Sequence, residues 1–272
     1  MPELPEVQTV VNDLQSLNGF VIKTAKFPRE QLKKHWIGQQ VLGQKLLSIS
    51  RRGKYIIMNF QPGVLAIHLG MSGRLVFKEI KHTRASFEFV HYNKGLVTKQ
   101  IVCYFDDIRC FGRLYTYDNA LVYHQAFDIG PDVYEIDAED FVKRLRLRNN
   151  QSIKCALLDQ SIISGYGNIY AAEACFMTGV DPATKVVNCS DEILQILYRL
   201  SSSMFDTAIA LRGTTFDAYR GVDGQPGLAL NALYVYGKTR CICCGSPINK
   251  IKQEGRTTWY CPTCQAGDCH AS

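Results

Sequence analysis

Near the start of the chain, apolar side chains recur at Val7, Val10, Val11, Leu14 and Leu17, the spacing of one helical face, so the opening segment is predicted to be a helix docked on a core. From about residue 21 to 117 the period shortens to β-type runs, such as Tyr55-Ile56-Ile57-Met58 and Val64-Leu65-Ala66-Ile67, separated by glycine turns. Two more runs, 87–90 and 101–105, flank a turn at Asn93-Lys94-Gly95, and an antiparallel sandwich or barrel is expected. After Gly130-Pro131-Asp132 the pattern becomes helical. Asp137 is placed to cap a helix carrying Phe141, Val142 and Leu145, and Ser190 to cap one carrying Ile193, Leu194, Leu197 and Leu200. Between them, Leu157-Leu158 leads to a turn at Gly165-Tyr166-Gly167 and then to Asn168-Ile169-Tyr170-Ala171-Ala172-Glu173, a helix-turn-helix type of arrangement. The glycine-bearing stretch 213–230 reads as a flexible loop.

The fold class expected is therefore α+β. An antiparallel β-sandwich domain led by a helix spans 1–130, a helical domain spans 131–228, and a small hairpin module spans 229–272. A length of 272 residues suits two domains plus a small module. With 46% hydrophobic and 21% charged residues the chain has globular rather than disordered chemistry. A formal charge of +6 favours a polyanionic partner. No apolar run approaches the ~18 residues of a membrane span, and the first segment is amphipathic rather than basic and then apolar, so a cytoplasmic protein is expected.

Cysteine usage sharpens the picture. There are eleven, an odd number in a long chain, and six of them fall in the last 32 residues, which argues against a disulfide framework. Cys241 and Cys244 form one Cys-x-x-Cys knuckle and Cys261 and Cys264 another, with sixteen residues between. Each knuckle can present two sulfurs to one side of a tetrahedron, so a single structural zinc ion is expected; redox-active or free thiols are the alternative. Cys243, Cys269 and His270 are left without a role. Between the knuckles, Gln253-Glu254-Gly255 reads as the turn of a β-hairpin, with Arg256 near its tip.

The chain opens Met1-Pro2-Glu3-Leu4-Pro5-Glu6. Pro2 and the two acids suit the first turn of a helix and complement its dipole. They also suit catalysis. Removal of Met1 would expose a secondary amine whose pKa, roughly 7.7 to 8.0, leaves a nucleophilic fraction near neutral pH. Attack on a sugar's anomeric carbon gives a cationic iminium, which favours elimination of an attached phosphate, and Glu3 is adjacent to move protons.

The opening, Arg51-Arg52-Gly53-Lys54-Tyr55, His68-Leu69-Gly70-Met71-Ser72-Gly73, Gly167-Asn168-Ile169-Tyr170-Ala171 and the cysteine hairpin with Arg256 together resemble the formamidopyrimidine-DNA glycosylase family, over nearly the whole chain. Leu4 stands where endonuclease VIII relatives typically have glycine. The resemblance implies a bifunctional base-excision repair enzyme acting on damaged double-stranded DNA, with oxidised purines as substrates, strand cleavage by an associated lyase step, a helix-two-turn-helix domain, no organic cofactor and a monomeric state. It implies that Pro2 is the nucleophile, that Glu3 is its proton carrier with Glu6 in support, and that Lys54 lies near the scissile phosphate. His68, Asn168 and Arg256 would clamp phosphate, and Lys154 would contact phosphate or lesion. Asn168 also suits a helix N-cap.

Met71, Arg109 and Phe111 match the residues that the family inserts into the duplex when the damaged base leaves the stack. Composition alone would put Met71 and Phe111 in a core and Arg109 on a strand. The chain departs from the family at Ile108 and Cys110, where proline and a second arginine are usual, along 81–86, and at Tyr166, an aromatic at a usually aliphatic position. Two other readings stay open: endonuclease VIII-like specificity for oxidised pyrimidines, and a zinc-ribbon DNA-binding protein without catalysis.

Overall fold

The computed structural model describes residues 1–28, 41–126, 128–215 and 221–266. Cys269 and His270 lie outside the described residues. The chain divides into two compact units, one formed by Met1–Asp128 with Leu211–Leu230, the other by Ile129–Ala210 with Asn231–Ser272. Among the described residues no helix is long and apolar enough to cross a membrane.

The first unit begins with helix α1, Leu4–Leu14, which continues into a 3-10 turn that carries Leu17. Its apolar face (Leu4, Val7, Val10, Val11, Leu14) is buried as the periodicity requires. Eight strands follow: β1 (Val21–Lys26), β2 (Leu46–Arg52), β3 (Tyr55–Phe60), β4 (Val64–His68), β5 (Arg74–Val76), β6 (Thr83–Asn93), β7 (Leu96–Asp106) and β8 (Arg113–Tyr117), then a short helix α2 (Ala120–Ala126). They form two antiparallel four-stranded sheets, ordered β1-β6-β7-β5 and β2-β3-β4-β8. Ile22, Phe87, Phe89, Cys103 and Phe105 of the first sheet share a core with Ile49, Ile56, Met58, Leu65, Ile67 and Leu114 of the second and with the face of α1. Strands β6 and β7 run well past the apolar runs that announce them, because Lys94 (φ 48°) and Gly95 (φ 81°) close a tight two-residue hairpin turn that matches the strand twist.

The segment read as a flexible loop is anchored where it is described. The Asp13 carboxylate accepts hydrogen bonds from Arg212 (2.9 Å) and from the Val222 backbone (3.1 Å), and Thr214 forms a β-bridge with Leu228. Residues 216–220 lie outside the described residues.

The second unit holds α3 (Ala138–Arg146), α4 (Ile153–Leu158), α5 (Asn168–Met177), α6 (Asp191–Ala210) and the hairpin β9 (Asn249–Gln253)–β10 (Arg256–Tyr260). Asp137 caps α3 by accepting from the Asp140 backbone at 2.9 Å, and the Ser190 hydroxyl accepts from Ile193 at the start of α6. Tyr166 is fully buried and packs its ring 5.0 Å from Phe205, so the off-pattern aromatic fills the helical core.

Candidate functional site

In the first unit, Pro2, Glu3 and Glu6 are all buried, and the Met1 side chain is exposed. Glu3 is the N-cap of α1, and Glu3 and Glu6 form a capping box in which the Glu6 carboxylate accepts from the Glu3 backbone at 2.8 Å. The same carboxylate accepts from Thr214, from the backbone at 2.7 Å and from the hydroxyl at 3.0 Å. Gly213 is required beside it: φ is 76°, and an added Cβ would stand 2.8 Å from Glu6 Oε1. The chain start is thus held from two sides, by its own helix and by a turn some two hundred residues later.

Lys54 sits in the turn joining β2 to β3 and is buried. Arg51 ties that turn to α1 by donating to Gln8 Oε1 and to the Gly53 carbonyl, each at 3.0 Å. His68, at the end of β4, accepts from the Gly70 backbone at Nδ1 (3.2 Å) and packs its ring 4.7 Å from that of Tyr55. Burial, with the charges of Lys54 and Arg113, lowers its pKa to about 4, so at neutral pH the imidazole is uncharged and carries its proton on Nε2. That N–H is suited to donate to an anion.

Met71, Ile108 and Phe111 are among the exposed large apolar residues, at 46%, 55% and 57% exposure, so neither Met71 nor Phe111 belongs to the core, and Arg109 lies in the loop between β7 and β8 rather than on a strand. Arg109 reaches Met71 Sδ at 3.8 Å. Beneath them is a fully buried carboxylate that the sequence reading passed over. Asp107 accepts from the Ser72 hydroxyl, from the Arg109 backbone (3.2 Å) and from the Gly112 backbone (2.7 Å), and its carbonyl accepts from Arg84 at 2.8 Å. One side chain therefore joins the Met71 turn to the loop carrying Arg109 and Phe111. Its signal in the sequence was an acid followed two residues later by Arg109, in a stretch otherwise read for its basic and apolar members. Cys110 adopts φ 57°, a left-handed conformation that costs a side chain about 1 kcal/mol, and its thiol donates to the Asp107 carbonyl at 3.7 Å. Gly70 permits the close approach of the two loops, since a Cβ there would stand 2.6 Å from the Phe111 backbone.

In the second unit, Lys154 is fully buried on α4 and donates to Asn168 Oδ1 (2.6 Å) and to the Thr258 hydroxyl (2.7 Å). Asn168 is not the helix cap. Gly167 takes that position and Asn168 is the first helical residue; its side-chain oxygen, the atom a cap would use, accepts from Lys154, and its NH2 donates to the Thr257 carbonyl at 2.9 Å. The start of α5 is in this way fastened to β10. Arg256 is exposed at the first position of β10, after the turn formed by Glu254 (φ 46°) and Gly255 (φ 75°). Glu173, also passed over in the sequence, is buried and accepts from the backbones of Tyr234 (2.6 Å), Val235 (2.9 Å) and Tyr236 (2.7 Å), fixing the strap that leads into the hairpin. Burial raises its pKa against the pull of those three donors.

The sulfurs of Cys241, Cys244, Cys261 and Cys264 all lie within 4.8 Å of one another, and the Cys244–Cys261 pair is 3.5 Å apart. A tetrahedral ion with metal–sulfur bonds of ~2.3 Å needs sulfur–sulfur edges of ~3.8 Å, so the four thiols fit such an ion. Hydrogen bonds from Ser246 lower the Cys244 thiol to about 6, while burial raises Cys261 and thiol contacts raise Cys264. Four thiols this close cannot ionise together without a cation among them. Cys243 is exposed and lies outside the cluster.

Comparison with known proteins agrees with this arrangement. The formamidopyrimidine-DNA glycosylase N-terminal domain matches residues 1–114, and that family's H2TH domain matches 129–219. A formamidopyrimidine-DNA glycosylase of Syntrophomonas wolfei is 35% identical over 97% of this chain and 100% of its own length, and one of Rickettsia massiliae is 31% identical over 97% of both. Among solved structures, the MutM (Fpg) protein of Thermus thermophilus superposes with a TM-score of 0.86 at 30% identity, over 97% of this chain and 99% of that one. The Lactococcus lactis Fpg in complex with an abasic-site-containing DNA superposes with a TM-score of 0.81 at 30% identity, over 97% and 100%. With both of the family's domains matched in order and full-length relatives above 30% identity, this chain belongs to the formamidopyrimidine-DNA glycosylase family.

Proposed function

We propose that this protein removes oxidised purines from duplex DNA and cleaves the resulting abasic strand, using Pro2 as nucleophile once Met1 is gone. The observation that carries the residue assignment is the buried Glu3–Glu6 capping box immediately after Pro2, anchored a second time at Thr214. The box uses both carboxylates, and the further anchor of Glu6 at Thr214 is understandable if the preceding nitrogen must be fixed in space and a carboxyl must work beside it.

The Pro2 nitrogen bonds to C1′ as the C1′–N glycosidic bond breaks and the base departs with its electron pair and a proton. The ring C1′–O4′ bond then opens, with Glu3 protonating O4′, and a cationic iminium forms. Loss of a C2′ proton expels the 3′ phosphate, a second elimination expels the 5′ phosphate, and water hydrolyses the iminium to free the amine. Lys54, His68, Asn168 and Arg256 bind phosphate, His68 as a neutral donor and Asn168 through the backbone at the start of α5. Lys154 acts by holding Asn168. Met71, Arg109 and Phe111 fill the space of the extruded nucleotide and contact its orphaned partner. We assign one zinc ion to Cys241, Cys244, Cys261 and Cys264; it would hold the hairpin, and so Arg256, in place. The expected boundary near 130 coincides with the division into units, whereas 211–228, expected in the helical part, belongs to the first unit because Thr214, Arg212 and Val222 bind Glu6 and Asp13.

Borohydride reduction on a damaged duplex tests the nucleophile. A stable protein–DNA adduct should form, with the link mapped to Pro2, and retention of Met1 or acetylation of the terminus should abolish it. A link at Lys54 or Lys154, or no adduct from protein whose Met1 is shown to be absent, would overturn the assignment.

A further inference from the structure

The strand register of the second sheet brings together residues that the motifs leave apart. Arg52 is opposite Tyr55, Tyr55 opposite His68, and His68 opposite Arg113, so these four form one row across β2, β3, β4 and β8. Directly opposed residues of antiparallel strands project from the same sheet face. On β8, Arg113 is exposed, Leu114 is fully buried and Tyr115 is partly exposed, which puts Arg113 on the outer face with His68. Its guanidinium donates to the Tyr115 hydroxyl at 3.4 Å and makes no ion pair with any carboxylate of the described residues.

Positive charge meets at His68. Lys54 and Arg113 both act on the His68 imidazole with positive charge. Arg113, at the start of an edge strand and without a carboxylate partner among the described residues, stands directly opposite the imidazole whose free N–H is a donor. Such an arrangement gains from an anion, and a planar guanidinium is the side chain best matched to a phosphate. We infer that Arg113 binds a DNA backbone phosphate, the neighbour of the phosphate taken by His68. This rests on the reading of His68 as a phosphate ligand and extends it to a residue outside the motifs that carried the family resemblance.

The test uses the full-length protein and a duplex containing a tetrahydrofuran abasic analogue, with affinity measured against salt. Loss of one phosphate contact lowers the slope of log affinity against log salt by about 0.9, so over a fourfold rise in salt Arg113→Gln should lose about 3.5-fold less affinity than the parent. Arg113→Lys should retain most of the slope. Lys143→Gln, which removes the same charge from the exposed surface of α3, should leave it unchanged. An Arg113→Gln slope equal to the parent's, in protein that still gives the Pro2 adduct, would overturn this inference and leave the enzymatic reading standing. Equal slope losses in Arg113→Gln and Lys143→Gln would overturn it too, since the effect would then be one of net charge. Failure of the parent itself to form an adduct would count against the enzymatic reading, whatever the slopes.

Discussion

Replacement of Glu6 by glutamine tests the idea that a carboxylate holds the chain start. Glu6 is 2% exposed, and two backbone donors converge on it, the N–H of Glu3 at 2.8 Å on one oxygen and that of Thr214 at 2.7 Å on the other. A carboxylate can accept both. A carboxamide has one accepting oxygen, so whichever way the new side chain turned, its NH2 would face an N–H and one buried donor would lose its partner. A buried backbone donor left unpaired costs about 1–3 kcal/mol. For a unit of this size that corresponds to a fall in melting temperature of roughly 2 to 12 °C. The kinetic effect should be larger in proportion, because displacement of a nucleophile by ~1 Å can cost ~100-fold in rate. Single-turnover borohydride trapping on an abasic duplex reads the rate, and calorimetry reads the stability. Glu6→Asp, which keeps the charge and loses reach, should recover part of the stability and little of the rate. If Glu6→Gln melts and traps like the parent, the two hydrogen bonds do not position the N-terminus and the reasoning is refuted.

His68 should titrate near 4 by NMR in the free protein, and Arg113→Gln should raise that value by removing a like charge. Because the folded pKa lies below the unfolded one, the stabilisation from a neutral His68 is complete above about pH 6.5 and is lost as pH falls towards 4, by up to roughly 3 kcal/mol, which acid titration of stability would miss if the ring were solvated. Chelation of the metal, or Cys261→Ser, should weaken DNA binding severalfold or more while sparing the first unit's melting transition; metal analysis finding no zinc in active protein would contradict it. Asp107→Asn, which can no longer accept on both sides from Ser72 and Gly112, should blunt discrimination among bases opposite the lesion more than it slows cleavage at an existing abasic site. An unchanged base preference would leave Asp107 with a packing role alone.

What the sequence determined by itself was local. The face of α1, the caps at Asp137 and Ser190, the turn at Lys94-Gly95 and the paired cysteine knuckles depend on residues within a few positions of one another, where backbone geometry imposes the spacing. The family motifs were legible for the same reason, as short runs. The tertiary structure decided what depends on partners far away. Asn168 satisfies the chemistry of a cap, yet its oxygen accepts from Lys154 and its NH2 donates to Thr257, 89 residues on, and Gly167 takes the cap position instead. The stretch after Gly213 looks like a flexible loop until its donors find Glu6 and Asp13, 208 and 209 residues upstream. Lys154 carries the charge of a phosphate ligand, but its ammonium lies fully buried between α5 and the hairpin. Asp107 and Arg113 acquire their neighbours through a loop contact and a strand register, neither of which leaves a period in the sequence. Each is a polar group whose partner is chosen by the folded chain, since a buried donor or acceptor must be paired and only the fold decides which one is within reach.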